Sequence, residues 1–379
     1  MTSSGRSWLV MGGALSGYTF DLFDSVASVG NLDVRFLYTP LDGLPTFDHE
    51  KTDGRAVSRL FWTDSNWLRI RRFVRDPRPD AAFAYGTQPC LGMGLAIAQL
   101  PPKVPLYYAA DTNVAGLASP PLRSLGRHLL YTSIAGRATA ALSLGLTNRI
   151  ALQTLGFRRI IELPVYAVDY AALDTAAEAN EASKPTKADK EIEALIIARL
   201  TPAKNLPGFV SALAQDADLS ARIRLVIAGE GPDRGALEAI KEQVPTLKME
   251  LLGPVDRRGV GMLLRRADVL LLPSSVEPWG IVVVEALGMG VPVVATPAVG
   301  AAVSLAGCTG AVLISEDAEP HSFVAALRRY LSQTARIAAA AREGASFIRA
   351  RYDRVAVAKR LLSLVYGDRA ECAPPSITG

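Results

Sequence analysis

The sequence predicts an α/β protein built from two doubly wound parallel sheets. Three observations carry that prediction. Short apolar runs alternate with longer amphipathic or small-residue stretches along nearly the whole chain, the pattern of βαβ units. A stretch rich in Ala, Glu, Lys and Ser, residues 171–190, separates two such series. The length, 379 residues, is enough for two domains with substantial cores. The expected division is 1–168 for the first domain, 169–190 for a linker and 191–351 for the second.

The first series opens with a strand at 8–11, and Gly12-Gly13 turns it into a helix. Such a turn brings backbone N–H groups close to a phosphate or sugar, and it serves equally as a plain βα turn. The spacing is not GxGxxG, and no acid ends the second strand at 34–38, so a nicotinamide cofactor is not expected. The single Arg before residues 8–11 is read with the strand, not as part of a signal peptide. Residues 41–64 are polar and irregular and read as loop. The run NWLRIRRFVRDPRPD follows, with Arg69, Arg71, Arg72, Arg75 and Arg78 interleaved with Trp67, Leu68, Ile70, Phe73 and Val74. It fits a surface helix packed on a sheet, and it fits a helix lying on an anionic membrane.

A strand at 80–85, a small-residue helix at 86–99 and the strand PLYYAAD come next. Open parallel sheets bind ligands at the carboxyl ends of their strands. Asp111 and Asn113 are therefore acceptor-side candidates, beside the commoner use of Asp and Asn in turns and caps. A helix at 123–131, a strand at 138–144 and a helix begun by Thr147 or Asn148 complete the domain.

The second series reads EALIIARL, RIRLVIAGEG and KMELLGPV as strands, each followed by a helix. Then comes DVLLLPSSVEPWGIVVVEALGMGVPVVAT: a strand at 269–272, a turn-rich loop at 273–280, a helix, and a strand at 291–296. The helix is argued against propensity, because Ile281 to Val284 are β-branched. Gly280 and Gly290 bracket it, Glu-Ala-Leu-Gly-Met is poor strand sequence, and Pro292 cannot lie far inside it. Residues from 320 to about 366 are helical in pattern, and the final CAPPSITG is expected to fray.

Composition narrows the chemistry. With 49% hydrophobic and 21% charged residues the chain is ordinarily globular, and a net charge of +4 gives no reason to expect a nucleic-acid partner. Cys90, Cys308 and Cys372 are scattered, which suits a reducing, cytoplasmic setting and no disulfide framework. No apolar run is long enough for a transmembrane helix. His49, His128 and His321 show no ligand spacing, and Asp216-Ala217-Asp218 falls in a polar loop at a helix end, so no metal is expected. No Ser-His-Asp or Cys-His arrangement and no P-loop is present, so covalent catalysis has no candidate.

What remains are three loops that leave strands of one sheet and should converge. ARLTPAKN carries Arg199 and Lys204 before a helix, a natural diphosphate clamp. AGEGPDRG carries Gly229, Glu230 and Asp233, and fits an ordinary turn with a helix cap as well. The third carries Glu277 and, eight residues on, Glu285; carboxylates accept hydrogen bonds from sugar and ribose hydroxyls.

Together ARLTPAKN, VIAGEGPDRGALE, LLGPV and RADVLLLPSSVEPWGIVVVEALGMGVPVVAT resemble retaining glycosyltransferases of family 4, with two Rossmann-like domains facing a central cleft in the GT-B fold. The resemblance is strong over about 191–300 and weaker before it. It implies that Arg199 and Lys204 hold the nucleotide diphosphate and stabilise the leaving group. It implies that Glu277 contacts the donor sugar, with Pro278 and Trp279 beside it. Gly280 and Ile281 would offer N–H groups and Glu285 would bind the ribose. Gly229 would lie near the donor, and Gly253, Pro254 and Val255 would border the base. Gly12 and Gly13 would face the diphosphate from the first domain. The last helix, about 352–366, would return to that domain. No cofactor beyond the nucleotide-sugar co-substrate is implied. The acceptor would be a glycan or lipid-linked glycan at the inner face of the cytoplasmic membrane. Many members place a histidine near the donor sugar; here Asp111 stands at the corresponding strand end. A GT-B nucleotide-sugar epimerase and a non-catalytic binding module remain as alternative readings.

Overall fold

The structure, a computed structural model, describes residues 5–12, 15–38, 58–61, 67–86, 91–112, 121–178 and 191–367. The chain divides into two compact units, Met1–Val168 with Arg351–Gly379, and Asp169–Ala350. Each is built on a wholly parallel sheet, and among the described residues helices lie between successive strands except the second and third of the first unit, the α/β class expected.

The first unit holds β1 (Ser7–Gly12), α1 (Gly17–Gly30), β2 (Asp33–Tyr38), β3 (Ser58–Phe61), α2 (Trp67–Arg75), β4 (Ala81–Tyr85) and α3 (Leu91–Gln99). It continues with β5 (Leu106–Ala109), α4 (Pro121–Arg137), β6 (Ala140–Ser143), α5 (Leu146–Thr154) and β7 (Ile160–Glu162). The sheet order is β3-β2-β1-β4-β5-β6-β7. β1 is central and every residue in it is buried, which is why Trp8 to Met11 is an unbroken apolar run. Side chains alternate between the faces. Leu9 and Met11 join the core with Ala82, Ala84, Leu106 and Tyr108. Trp8 instead meets Phe23 and Phe83. Residues expected to be loop contribute β3, which pairs with β2 from Arg35↔Ser58 to Tyr38↔Phe61. Asn113 and Gly13 lie outside the described residues.

The second unit begins with α6 (Tyr170–Glu178), inside the stretch expected to be linker. Then follow β8 (Ile192–Ile197), a 3-10 turn at Pro202–Lys204, α7 (Leu206–Ala214), α8 (Ala217–Arg222), β9 (Ile223–Ala228) and α9 (Arg234–Gln243). Next are β10 (Met249–Gly253), α10 (Arg257–Arg266), β11 (Val269–Leu272) and α11 (Ile281–Gly288). The unit ends with β12 (Val293–Ala295), α12 (Gly300–Thr309), β13 (Val312–Ile314), α13 (Pro320–Ser332) and most of α14 (Thr334–Tyr352). The sheet order is β10-β9-β8-β11-β12-β13. The β-branched run after Gly280 is helical, with Gly280 left-handed at its cap (φ 85°). Asp169 accepts a hydrogen bond from Ala172 N–H (3.2 Å), which caps α6.

The chain returns to the first unit for α15 (Arg354–Tyr366), which packs on α1. Its end is tied to the first strand. Trp8 Nε1 donates to the Tyr366 hydroxyl (2.9 Å), which donates to Asp80 (2.8 Å), and the Trp8 and Tyr366 rings stack 6.0 Å apart. Burial and the Asp80 carboxylate push the Tyr366 phenol up to about 12, so it stays a donor at neutral pH.

Candidate active site

In the second unit β8 is first in the chain yet central in the sheet. Its successor β9 lies on one side and β11 on the other. The β8–β11 boundary is thus the switch point where the order of strands reverses, and crevices outside such points take ligands in open α/β sheets. The loops leaving β8 and β11 carry six of the sequence candidates: Arg199, Lys204, Glu277, Pro278, Trp279 and Gly280.

Backbone hydrogen bonds lock these loops together. The Ala203 carbonyl accepts from Ser275 N–H (2.9 Å) and Val276 N–H (3.1 Å). On the far side, Gly300 N–H donates to Glu277 O (3.2 Å) and Ala301 N–H to Trp279 O (2.8 Å). Thr296 Oγ1 donates to Ser274 O (2.5 Å). The segment 274–280 is therefore held on both flanks. Ala203 and Thr296 escape sequence reading because their part is played by a backbone carbonyl and a lone hydroxyl.

On this frame Lys204 Nζ meets Glu277 Oε2, 73 residues apart in the chain. Their side chains are 14% and 16% exposed, so the pair is screened from most solvent and still reachable. Arg199 is exposed and, among the described residues, has no ion-pair partner. One edge thus offers a free guanidinium, an ammonium and a carboxylate. That set suits a ligand with anionic and hydroxyl groups side by side.

The other candidates fall along the same sheet. Glu285 is in the second turn of α11 and buried (2% exposed). Trp279 is buried against the loop, Pro278 and Ile281 are half-buried, and the first N–H groups of α11 lack intrahelical acceptors by geometry. Gly229 follows β9, and its N–H donates to Gly253 O (2.7 Å). Pro254 is exposed and Val255 half-buried beyond β10. Glu230 pairs with Arg234 (3.2 Å), which also binds Glu238 (2.9 Å). Asp216 caps α8 through Leu219 N–H (3.1 Å) and, with Asp218, pairs with Arg328. The Leu219 N–H bond, with the Arg328 pairing, holds the Asp216 carboxyl below the usual range.

In the first unit Gly12 ends β1, in register with Tyr38 and Tyr85. Asp111 follows β5 and is half-buried. Its negative charge, after burial, helps push the Tyr108 and Tyr166 phenols up. The loop here is stapled by buried Asn148, which donates to Ala110 O (2.8 Å) and Thr112 O (2.7 Å) and accepts from Leu144 N–H (3.0 Å). The sequence marks Asn148 only as a possible helix start; its role comes from the neighbouring strand.

Comparison with known proteins follows the same lines. The model of the family glycosyl transferases group 1 matches residues 178–345. A GDP-mannose-dependent alpha-(1-6)-phosphatidylinositol dimannoside mannosyltransferase of Mycobacterium tuberculosis is 39% identical over 97 residues, 25% of each chain. An alpha-monoglucosyldiacylglycerol synthase of Acholeplasma laidlawii is 30% identical over 105 residues, 27% of this chain and 26% of its own. The chain thus spans about a quarter of the length of these curated relatives. The crystal structure of HepE from Anabaena, in complex with UDP and glucose, aligns with a TM-score of 0.68 at 16% identity, covering 95% of this chain and 99% of that one. That likeness establishes the GT-B fold.

Proposed function

We propose, because residues 178–345 match the model of the glycosyl transferases group 1 family, that the protein moves a sugar from a nucleotide-diphosphate sugar to a glycan or lipid-linked acceptor in glycoconjugate or polysaccharide synthesis. The observation that carries the reading is the Lys204–Glu277 pair at the switch point of the second sheet. Lys204 and Arg199 take the diphosphate and neutralise charge as the bond between the anomeric carbon and phosphate oxygen breaks. Glu277 turns from Lys204 to the sugar hydroxyls, and Glu285 takes the ribose. Retention and metal independence belong to the same proposal. The acceptor oxygen bonds the anomeric carbon on the face the phosphate leaves, and the departing phosphate oxygen takes the acceptor's proton. No side-chain nucleophile is needed for that step.

Thermal shifts across UDP-, GDP- and ADP-sugars test the donor. A matching donor at a hundred times its Kd stabilises by about 2.7 kcal/mol, and Glu285→Ala removes the shift. A flat response to every donor would sink the reading. The anomer of the product, read by NMR, and turnover in chelator test retention and metal independence.

For the acceptor we propose a lipid-linked glycan at the cytoplasmic face of an anionic membrane. Among the described residues no helix is long and apolar enough to cross a membrane. α2 is the contact proposed, with Arg69 to Arg78 as its basic region. Ile70 and Val74 bury against the sheet, whereas Trp67 and Leu68 are 41% and 71% exposed beside Arg71 and Arg72. A surface helix needs only the first two for packing. Two of the curated relatives carry lipids in their names, phosphatidylinositol dimannoside and monoglucosyldiacylglycerol. Liposomes of anionic lipid should float the protein, and replacing Arg69, Arg71 and Arg72 with Gln should abolish flotation; equal flotation would return α2 to a purely structural role.

A further inference from the structure

The donor-facing helix α11 has a weak claim to its own conformation. It is eight residues long and half β-branched, and such a helix is marginal in isolation. Its position must come from tertiary contacts: two side chains grip it, and a third holds one of those two. Tyr170 on α6 donates its hydroxyl to Val284 O (2.9 Å) in a buried bond. The Tyr170 ring lies where a Cβ on Gly288 would stand, with ring atoms 2.2 to 2.4 Å from that point, so Gly288 and Tyr170 fit only as this pair. Arg349 on α14 donates through Nε to Gly288 O (2.6 Å), one of the carbonyls left over at the helix end. Its other nitrogens bind Asp174 in a fork (2.6 and 2.8 Å), and its guanidinium lies 5.0 Å over the Tyr170 ring. Tyr170 and Asp174 are four apart on α6 and share a face. A cation at a helix C-terminus also meets the negative end of the dipole.

We propose that Tyr170, Asp174 and Arg349 are positioning residues that fix α11 in place, so that Gly280 and Glu285 are presented to the donor in one arrangement. Tyr170 and Arg349 touch the helix, and Asp174 acts on it through Arg349. The inference rests on the donor role proposed for α11. Tyr170 and Asp174 follow the point where the chain enters the second unit at Asp169, and Arg349 precedes the point where it leaves at Ala350. The geometry of the donor helix is thus set by both ends of the unit. A rigid helix carries a displacement at one end to the other, and errors near 1 Å at a reacting centre cost on the order of a hundredfold in rate.

The test compares Arg349→Ala, Arg349→Lys and Tyr170→Phe, which keeps the ring, all assayed well below their melting temperatures. Amide hydrogen exchange at 281–288 reads the clamp without any nucleotide, and is expected to speed up at least about tenfold in Arg349→Ala and less in the other two. Donor KM is expected to rise and kcat/KM to fall about tenfold in Arg349→Ala, with Arg349→Lys recovering part of the loss because the charge at the helix end is retained. Lower melting temperature with unchanged exchange at 281–288 and unchanged KM would reduce the three residues to general stabilisers and overturn the proposal. Faster exchange in a protein whose wild type binds no nucleotide sugar would leave the clamp standing and refute the donor reading instead.

Discussion

Lys204→Ala is expected to abolish sugar transfer. The effect has two parts, both set by the partly buried pair with Glu277. The first is chemical. Charge develops on the diphosphate as the glycosidic bond breaks, and removing one preorganised donor aimed at such a charge costs about 10²–10³ in kcat. The second is electrostatic in the free protein. Without Lys204 the Glu277 carboxylate keeps its shielded position and loses its cation, and stranding one member of a buried pair destabilises by about 3–5 kcal/mol, with the 16% exposure of Glu277 putting this case at or below the lower end. The double variant Lys204→Ala/Glu277→Gln separates the two. Neutralising the stranded acid should recover much of the lost melting temperature and none of the turnover. The two substitutions should also combine non-additively, as groups acting as a unit do. Wild-type turnover in Lys204→Ala would remove the switch-point edge from the site.

The loops that meet here were legible one at a time, and their meeting was not. A cation before a helix and an acid after a strand are each common, and neither spacing says that Lys204 and Glu277 touch across 73 residues. What makes them touch is strand order. β8 and β11 are paired, with Val269↔Ala194 and Leu270↔Leu195 in register, and only long-range pairing decides that. The strands themselves were easy to read, because strands buried on both faces are continuous apolar runs, as at Val269–Leu272. The helix after Gly280 was readable in spite of its β-branched residues because punctuation outweighed propensity. Gly280 and Gly290 both have positive φ, 85° and 74°. The elements that escaped are short or polar. β3 is four residues and β13 three, too few to show a period. α6 lies in a stretch whose composition resembles a linker. Asp169 as cap and Tyr170 with Leu173 as a buried i, i+3 pair were its signal, and Leu173 packs so closely that a Cβ on Gly261 would stand 2.5 Å from its carbonyl oxygen. Composition averaged over the whole stretch hid three informative residues at its start.

Gly229→Ala is expected to be the most destabilising single-methyl change in the second unit. Gly229 has φ +149°, a conformation that side-chain-bearing residues rarely adopt, and a Cβ there would stand 1.8 Å from Ala198 O. That oxygen belongs to backbone and cannot rotate away. The loops after β8 and β9 are laced by Ala198 N–H to Ala228 O (3.1 Å) and Leu200 N–H to Glu230 O (2.9 Å), and Gly229 N–H ties the second loop to β10. The methyl can fit only if the loops part, which breaks buried backbone hydrogen bonds and adds strain. Strained backbone costs about 1–3 kcal/mol and an overpacked site a further 1–3, so a loss of about 2–6 kcal/mol follows. For a unit of this size that lowers the melting transition by roughly 10 °C. Gly235 supplies the opposite case. It lies in the first turn of α9, its added Cβ meets nothing within 4 Å, and Gly235→Ala should raise stability by about 0.5–1 kcal/mol through helix propensity alone. Calorimetry on the pair therefore reads opposite signs from the same chemical change. Because the displaced loop carries Arg199 and Lys204, Gly229→Ala should also lose donor binding at temperatures where it is still folded. Unchanged melting in Gly229→Ala would mean that the β8 and β9 loops are not packed as described, and the placement of the phosphate-binding cations would go with them.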